Sequence, residues 1–369
     1  MEKIGSEAAI EGEGNKEFGK NVHAVLEFLR HATPGKTPEG MSADFLTEGG
    51  QEMARGMGKA RVQEEKIAGY SSPAKRAQET GDLYLDNTDE SVEVVNRTIA
   101  ETKAKYPAQK EGNIFRMKTK QELAPTVGFA KIMPLAKEFA KTQKAAGSKA
   151  DDLTLIIQYY LDNPEKCREL GVDLPYDAAS QIAHRVATEL NMTERFREDT
   201  DVRLINVTHG PKLEPFLKEV VGFGRLEEIG GAMKEGENLQ FVVDIDGNGS
   251  KNVTLIFRGR NYELTEEQTR LITEMSDYYK AYCLPKERYA GMKDEKLYAV
   301  FEQACLDYSN EDKGIDVANR NRRNFMFILD ELKKRKKTYK DVGLSTEAAD
   351  AYYQIAATYK IGSGEELWS

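Results

Sequence analysis

The sequence predicts a three-layer α/β/α fold with a mostly parallel sheet, an edge hairpin and a C-terminal helical extension. Short aliphatic runs alternate with helical patterns through the first 264 residues, as in parallel sheets that are covered by helices. The segment LQFVVDIDGNGSKNVTLIFRGRNYEL (239–264) holds two strand patterns around a glycine-rich turn, which is typical of a hairpin. After this segment the chain shows four helical patterns and no strand pattern.

These observations divide the chain into three predicted parts. Residues 1–20 are polar and acidic, and we expect a flexible lead-in there. Residues 21–264 form the α/β domain, and residues 265–369 form a helical appendage. We place the boundary near residue 264 because alternating strand and helix patterns give way there to helix patterns alone.

Each element of the α/β domain is predicted from its own pattern. Three buried strands are short, aliphatic and followed by polar residues: NVHAVLEFL (21–29), KIAGYSS (66–72) and DVRLINVTHG (201–210). Five segments have helical periodicity: 46–63, 73–85, 128–145, 149–163 and 177–196. Thr47 caps the first helix, and Pro73 opens the second, where its missing N–H costs nothing. Between residues 84 and 125 the pattern is weaker: SVEVV (91–95) fits a strand or a helix start, and NIFRMKTKQEL (113–123) alternates as a strand does.

Composition and charge exclude several classes of protein. The 369 residues carry a net charge of −9, which disfavours a nucleic-acid partner because phosphate backbones attract basic surfaces. We expect no membrane partner, because no apolar run is long enough to span a bilayer. The polar N-terminus does not resemble a signal peptide, and the 3 cysteines form no CxxC pair. We therefore expect a cytoplasmic protein with free thiols and no metal site.

Polar side chains follow each of the three buried strands. Arg30 and His31 follow the first, Arg76 lies just after the second at the start of a helix, and His209 and Gly210 follow the third. In open α/β sheets, ligands bind outside the carboxyl ends of the strands. If the three strands are neighbours, the two arginines and two histidines converge on one small volume.

This combination of residues suits a phosphate group. Arginine presents a planar fork of donors that remains charged, which matches phosphate or carboxylate oxygens. A neutral imidazole is a nucleophile that can form a covalent intermediate, and a second histidine can stabilise charge on phosphoryl oxygens. Arg76 lies in the first turn of a helix, where free backbone N–H groups also favour an anion.

Three short motifs resemble those of the histidine phosphatase superfamily, the phosphoglycerate-mutase-like proteins. FLRHAT is similar to the family's Arg-His-Gly motif, SSPAKRAQET to its Ser-Ser-x-x-x-Arg-x-x-x-Thr helix start, and NVTHG to its second histidine motif. The resemblance covers residues 22–264. It implies that His31 attacks phosphorus to form a phosphohistidine, and that Arg30, Arg76 and His209 hold the transferred phosphoryl group.

The resemblance also implies a carboxylic acid that protonates the leaving oxygen and then activates water. This acid should follow a strand between Arg76 and His209, and Glu122 in MKTKQELAP fits best. Three other carboxylates remain as alternatives: Glu101, Asp151 and Asp152. No cofactor is implied, and we expect activity to survive a chelator.

Differences from the family motifs indicate which branch of the family, and which activity, the sequence resembles most. Ala32 replaces the usual glycine after the first histidine, and Gly210 after the second is typical of the branch that resembles mutases and fructose-bisphosphatase-like enzymes. The Asn- and Trp-bearing loop of mutases is absent, which favours a phosphatase acting on a small phosphorylated metabolite or a phosphoprotein. Mutase-type phosphoryl transfer and non-catalytic binding of a phosphorylated ligand, as in a scaffold protein, remain alternatives. The C-terminal helices could mediate homo-oligomerisation.

Overall fold

The structure is a computed structural model, and it describes residues 17–36, 42–89, 91–94, 117–308, 315–335, 337 and 339–359. Most of the predicted lead-in and the candidate acid Glu101 lie outside these ranges. The chain divides into two compact units, residues 1–275 and 276–369.

The first unit is built on one sheet of eight strands. Along the chain the strands of the unit are β1 (Val22–Arg30), β2 (Pro34–Lys36), β3 (Ser42–Leu46), β4 (Lys66–Ser71), β5 (Glu93–Val94), β6 (Lys118–Thr119), β7 (Asp201–Thr208), β8 (Asn238–Ile245), β9 (Lys251–Phe257) and β10 (Arg260–Glu263). The sheet order is β10-β9-β8-β1-β7-β4-β5, and β6 also pairs with β4. Strands β2 and β3 form a separate hairpin.

The predicted fold class is confirmed, with one refinement at the sheet edge. Strands β1, β7, β4, β5 and β6 pair in parallel, whereas β8 pairs antiparallel with β1 and continues through β9 into β10. The edge is therefore a three-stranded antiparallel meander, of which the predicted hairpin is the inner part. Turn residues between β8 and β9 explain its sharp reversal, since Gly249 has a φ of +80°.

Helices cover both faces of the sheet. The described helices of the first unit are α1 (Glu48–Arg61), α2 (Lys75–Leu85), α3 (Phe129–Ala145), α4 (Asp152–Asp162), α5 (Pro164–Leu170), α6 (Pro175–Thr193) and α7 (Gly210–Val221). Alternate residues of β1 face different layers: Leu29 packs in the cluster that includes α1 and α2, and Phe28 packs in the cluster that includes α6 and α7. Because both faces are buried, apolar residues of β1 point to both layers, and the strand has no regular alternation of apolar and polar residues.

The register places three strand ends side by side. Arg30 at the end of β1 pairs with Thr208 at the end of β7, and Ser71 at the end of β4 pairs with Val207. The residues that follow these strands therefore emerge from one edge of the sheet. The sequence analysis predicted that the polar residues after the three strands would meet if the strands were neighbours, and β1, β7 and β4 are neighbours in this order.

Helix α8 (Glu266–Tyr278) contains the division between the two units. Its residues Ile272 and Met275 belong to the hydrophobic core of the α/β unit, so this core extends beyond the predicted boundary near residue 264. The described remainder is helical: a π-helical segment (Tyr279–Cys283), then α9 (Leu284–Ala290), α10 (Asp294–Tyr308), α11 (Ile315–Lys334), α12 (Tyr339–Val342) and α13 (Thr346–Tyr359).

The second unit has a core of its own. The rings of Phe301 and Phe325 stack at 5.5 Å, and Tyr352 packs edge-on against Phe301 at 6.0 Å between ring centroids. Such aromatic pairs stabilise a core beyond the area they bury. Among the described helices of both units, none combines the length and apolar character that crossing a bilayer requires.

A buried charge network joins the sheet to α1 and α2. The carboxylate of Glu27, fully buried in β1, accepts hydrogen bonds from four donors: Arg61 Nη1 (3.0 Å), Tyr84 OH (2.8 Å), Arg203 Nη1 (2.7 Å) and Asn238 Nδ2. Arg203 also pairs with Glu64 through two bonds of 2.7 and 2.8 Å. Burial opposes ionisation of Glu27, but Arg203 and Arg61 outweigh it and lower the pKa of the carboxyl.

We predict that Glu27→Ala lowers the free energy of unfolding by about 3–5 kcal/mol, because the buried guanidinium of Arg203 would lose one of its two carboxylate partners. Urea denaturation of the full chain measures the change. Glu263→Ala on the exposed edge strand β10 is the matched control, and we expect it to change stability by less than about 0.5 kcal/mol. Equal effects of the two substitutions would contradict the prediction.

Candidate active site

His31 lies at the carboxyl end of β1, and two hydrogen bonds define its tautomer. Its Nδ1 lies 2.7 Å from the carbonyl oxygen of Ala32, which can only accept, so Nδ1 carries the proton. Its Nε2 lies 3.2 Å from Nε of Arg76, which can only donate, so Nε2 presents its lone pair. The backbone N–H of Ala32 donates to Thr80 Oγ1 at 3.1 Å and anchors this turn to α2.

His209 follows β7 and faces the same arginine. Arg76 Nη2 lies 3.3 Å from Nδ1 of His209, so Nδ1 accepts, and Nε2 then donates to Ser72 Oγ at 2.8 Å. The rings of His31 and His209 lie 5.0 Å apart between centroids. Thus the structure brings together Arg76 and the two predicted histidines.

Arg76 occupies the second position of α2, where the helix N-terminus faces the site. The residue before the helix is Ala74, which has no hydrogen-bonding side chain to cap the first N–H groups. A cation is unfavourable at this end of a helix unless an anion joins it. The exposed carboxylate of Asp44 in β3 lies 4.0 Å from Arg76 Nη1, a contact that the sequence motifs did not predict.

Arg30 approaches the same site from the end of β1. Its Nη1 donates to the carbonyl of Met233, and its Nη2 donates to Glu235 Oε1 at 2.8 Å. Its Nε is buried and has no hydrogen-bond partner among the described residues. A Cβ on Gly210 would lie 3.1 Å from Arg30 Cζ, so glycine after the second histidine leaves room for the guanidinium.

Both imidazoles are neutral at ordinary pH. Burial is the main cause that lowers the pKa of His31 to about 3, and the charges of Arg76 and Arg30 lower it further against the opposing bond to Ala32. Burial also lowers the pKa of His209, with added repulsion from His31, Arg76 and a buried lysine, Lys212. Neutral His31 keeps the lone pair that a nucleophile needs.

Glu122 lies in a 3₁₀ turn (Gln121–Leu123) that follows β6. Strand β6 pairs with the end of β4, and the N–H of Lys120 donates to the carbonyl of Ser71 at 2.8 Å. This places Glu122 just beyond the sheet edge from which Arg76 and His209 emerge. The turn thus follows a strand between Arg76 and His209 in sequence, and the role of Glu122 as the acid stays a prediction.

The two described alternatives to Glu122 have other surroundings. Asp151 caps α4, where its carboxylate accepts from the N–H of Thr154 at 2.8 Å. Asp152 lies exposed in the first turn of the same helix. Asp151 therefore has a structural role as a helix cap, whereas the charge of Glu122 acts on the buried side chains of Arg185 and Glu189.

The arrangement can bind and attack an oxyanion. Two arginines and a helix N-terminus converge around the lone pair of His31 Nε2, and carbonyl and carboxylate oxygens hold both guanidinium groups in place. An anion seated there would receive donors that Arg76 otherwise directs at the two imidazoles. Within the described ranges, no group of three His, Cys, Asp or Glu side chains is spaced to hold a metal ion.

Solved structures that resemble this chain include phosphatases. Mycobacterial hydrolase 2 is 13% identical over 69% of this chain and 97% of its own, with a TM-score of 0.38. Mycobacterial glucosyl-3-phosphoglycerate phosphatase is 14% identical over 64% and 97%, with a TM-score of 0.34. The phytase of Citrobacter braakii is 11% identical over 70% and 98%, with a TM-score of 0.37.

No family model and no curated protein matches the chain. The structures just described are similar to it at identities and TM-scores too low to establish an activity or a substrate. What the site can do follows from its own side chains.

We predict that Gly210→Ala weakens binding of inorganic phosphate or orthovanadate by on the order of tenfold. The new methyl group would push the Arg30 guanidinium away from the site, and a charge-assisted hydrogen bond contributes about 1.5–3 kcal/mol. Isothermal titration calorimetry measures the affinity. Gly56→Ala in α1, whose Cβ would meet no atom within 4 Å, is the control. Unchanged affinity of Gly210→Ala would contradict the proximity argument.

We predict that the pH dependence of stability depends on His31. Because the folded pKa of about 3 lies below the ordinary 6.5, the unfolded chain binds more protons between these values, and stability falls as the pH falls below about 6.5. His31→Gln should reduce this slope by up to about 1.4 kcal/mol per pH unit. Urea denaturation from about pH 7 to about pH 5, without phosphate, measures it.

The control for this slope is Ser180→Ala, which changes a buried side chain that does not titrate in this range. It should shift stability by the same amount at every pH. If His31→Gln left the slope as it is in the wild type, the neutral buried state of His31 would be wrong.

Proposed function

We propose that the protein is a phosphomonoester hydrolase that acts through a phosphohistidine on a small phosphorylated metabolite or a phosphoprotein. One observation carries this proposal: the Nε2 lone pair of His31 is directed at Arg76 in a buried site that also holds Arg30 and His209. Phosphoryl transfer needs a nucleophile inside a cationic, preorganised pocket.

In the first step, His31 Nε2 attacks phosphorus and a P–N bond forms as the ester P–O bond breaks. The leaving oxygen takes a proton from the carboxylic acid of Glu122, so the product is a neutral alcohol. The ring of His31 gains positive charge, and its Nδ1–H bond to the Ala32 carbonyl becomes stronger as that charge develops.

In the second step, a water molecule attacks phosphorus from the side that the alcohol has left. The Glu122 carboxylate takes a proton from this water as the new P–O bond forms and the P–N bond breaks. Inorganic phosphate is released, His31 regains its lone pair and Glu122 is again protonated. The cycle consumes one water and one ester.

Arg30, Arg76 and His209 stabilise the phosphoryl oxygens in both steps. Arg30 Nε supplies a donor without another partner, and Arg76 redirects its donors from the imidazoles to the oxygens. The Ser72 hydroxyl, 2.8 Å from His209 Nε2, can accept or donate. By donating, it allows His209 to carry its proton on Nδ1 and present that N–H to the phosphoryl group.

We predict that His31→Ala lowers kcat with 4-nitrophenyl phosphate by at least about 10³-fold, because the covalent route is lost. Steady-state release of 4-nitrophenol measures the rate. Quenching a labelled substrate in alkali should trap phosphate on the wild type and none on His31→Ala, since phosphohistidine survives alkali.

The control is His23→Ala, which removes a half-exposed imidazole at the opposite end of β1, where it lies 2.7 Å from Asp244. We expect this variant to retain turnover. If the wild type and His31→Ala shared one slow rate, the hydrolase proposal would be wrong, and retained vanadate binding would then favour a non-catalytic binder.

A further inference from the structure

The turn that carries Glu122 is attached at three points to the segment that carries His209. Three side-chain hydrogen bonds make the attachment: Thr208 Oγ1 to the carbonyl of Leu123 (2.9 Å), Lys212 Nζ to the carbonyl of Glu122 (3.1 Å) and Thr126 Oγ1 to the carbonyl of Pro211 (3.1 Å). We call these three bonds the turn clamp. The turn and the segment are far apart in sequence, and the clamp joins them directly in addition to the pairing of β6 with β4.

Lys212 is the charged member of the turn clamp. It lies in the first turn of α7, and only 1% of it is exposed. Its ammonium group donates to the Glu122 carbonyl and to Gln181 Oε1 on α6, and its charge also acts on His209. A lysine is rarely buried so completely unless its hydrogen bonds are needed.

We propose that Lys212 is a positioning residue for the proton donor: it holds the turn of Glu122 at the distance from His209 and His31 that proton transfer to the leaving group requires. This inference rests on the proposed phosphatase activity and adds a role that the sequence motifs do not include. Lys212 donates to the backbone carbonyl of Glu122. It therefore fixes the position of the main chain at this residue and leaves the carboxylate able to transfer a proton.

The physical reason is that general acid catalysis depends steeply on distance. A donor must lie within hydrogen-bond reach of the leaving oxygen, and a displacement of about 1 Å can cost on the order of 10²-fold in rate. The turn of Glu122 is only three residues long, so it has few hydrogen bonds of its own to keep this position. The other two clamp bonds come from neutral hydroxyls, which hold less strongly than an ammonium group.

The test uses two leaving groups. The leaving group of 4-nitrophenyl phosphate is acidic and departs without a proton, whereas that of glycerol 2-phosphate must be protonated as it departs. A displaced acid therefore slows hydrolysis of the alkyl ester and spares the aryl ester. A general loss of structure would slow both, so the ratio of the two kcat/KM values separates positioning from folding.

We expect Lys212→Met to lower kcat/KM for glycerol 2-phosphate by about 10²-fold more than for 4-nitrophenyl phosphate. Glu122→Gln should show the same selectivity with a larger loss, within the 10²–10⁴-fold typical of general acid catalysis. The double variant should lose no more than Glu122→Gln alone, because Lys212 acts through Glu122. Lys218→Met on the same helix, whose ammonium lies 3.4 Å from Asp162, is the matched control.

Equal losses on the two esters, or additive losses in the double variant, would overturn the positioning role. If Lys212→Met does not fold, Thr208→Val removes a second clamp bond with little change of volume, and the same selectivity is expected of it. If Thr208→Val slowed hydrolysis of the two esters equally, the proposal would likewise be overturned. A wild type inactive on both esters would instead overturn the phosphatase activity, and this inference with it.

Discussion

The parallel pairing of β1 with β7 is the constraint on which the site depends. Its register sets Arg30 opposite Thr208, so the residues that follow the two strands, His31 and His209, face each other with ring centroids 5.0 Å apart. Pairing of β4 with the other side of β7 then delivers the helix that begins with Arg76. Any other register would direct these side chains to different faces or depths.

Burying two arginines near each other costs free energy through desolvation and repulsion, and two features of the structure offset this cost. The histidines remain neutral, so they accept hydrogen bonds from Arg76 and add no charge. Carbonyl and carboxylate oxygens take the remaining donors, as Met233 and Glu235 do for Arg30. The arginines of the site thus stay charged and able to bind an anion, while neutral histidines and oxygen acceptors take their hydrogen bonds.

The charge cluster around Glu27 and the cluster at the site differ in how far their polar groups are hydrogen-bonded. Around Glu27 every carboxylate oxygen is saturated by donors, which suits a network that joins layers of the fold. At the site, Arg30 Nε is buried without a partner among the described residues, and the first turn of α2 lacks a side-chain cap. Saturated networks stabilise structure, whereas unsaturated donors at a strand end are ready to bind an anion.

The sequence by itself determined the buried strands and the polar residues after them, because hydrophobic periodicity and short motifs are local signals. From these, the sheet, its helical layers and the positions of His31 and Arg76 could be predicted. Only the tertiary structure decided why Gly210 leaves room for Arg30 and that Lys212 is buried against the turn of Glu122. Those facts depend on contacts between residues distant in sequence, such as the bond from Lys212 to Glu122, and a lysine in a first helical turn is ordinarily exposed.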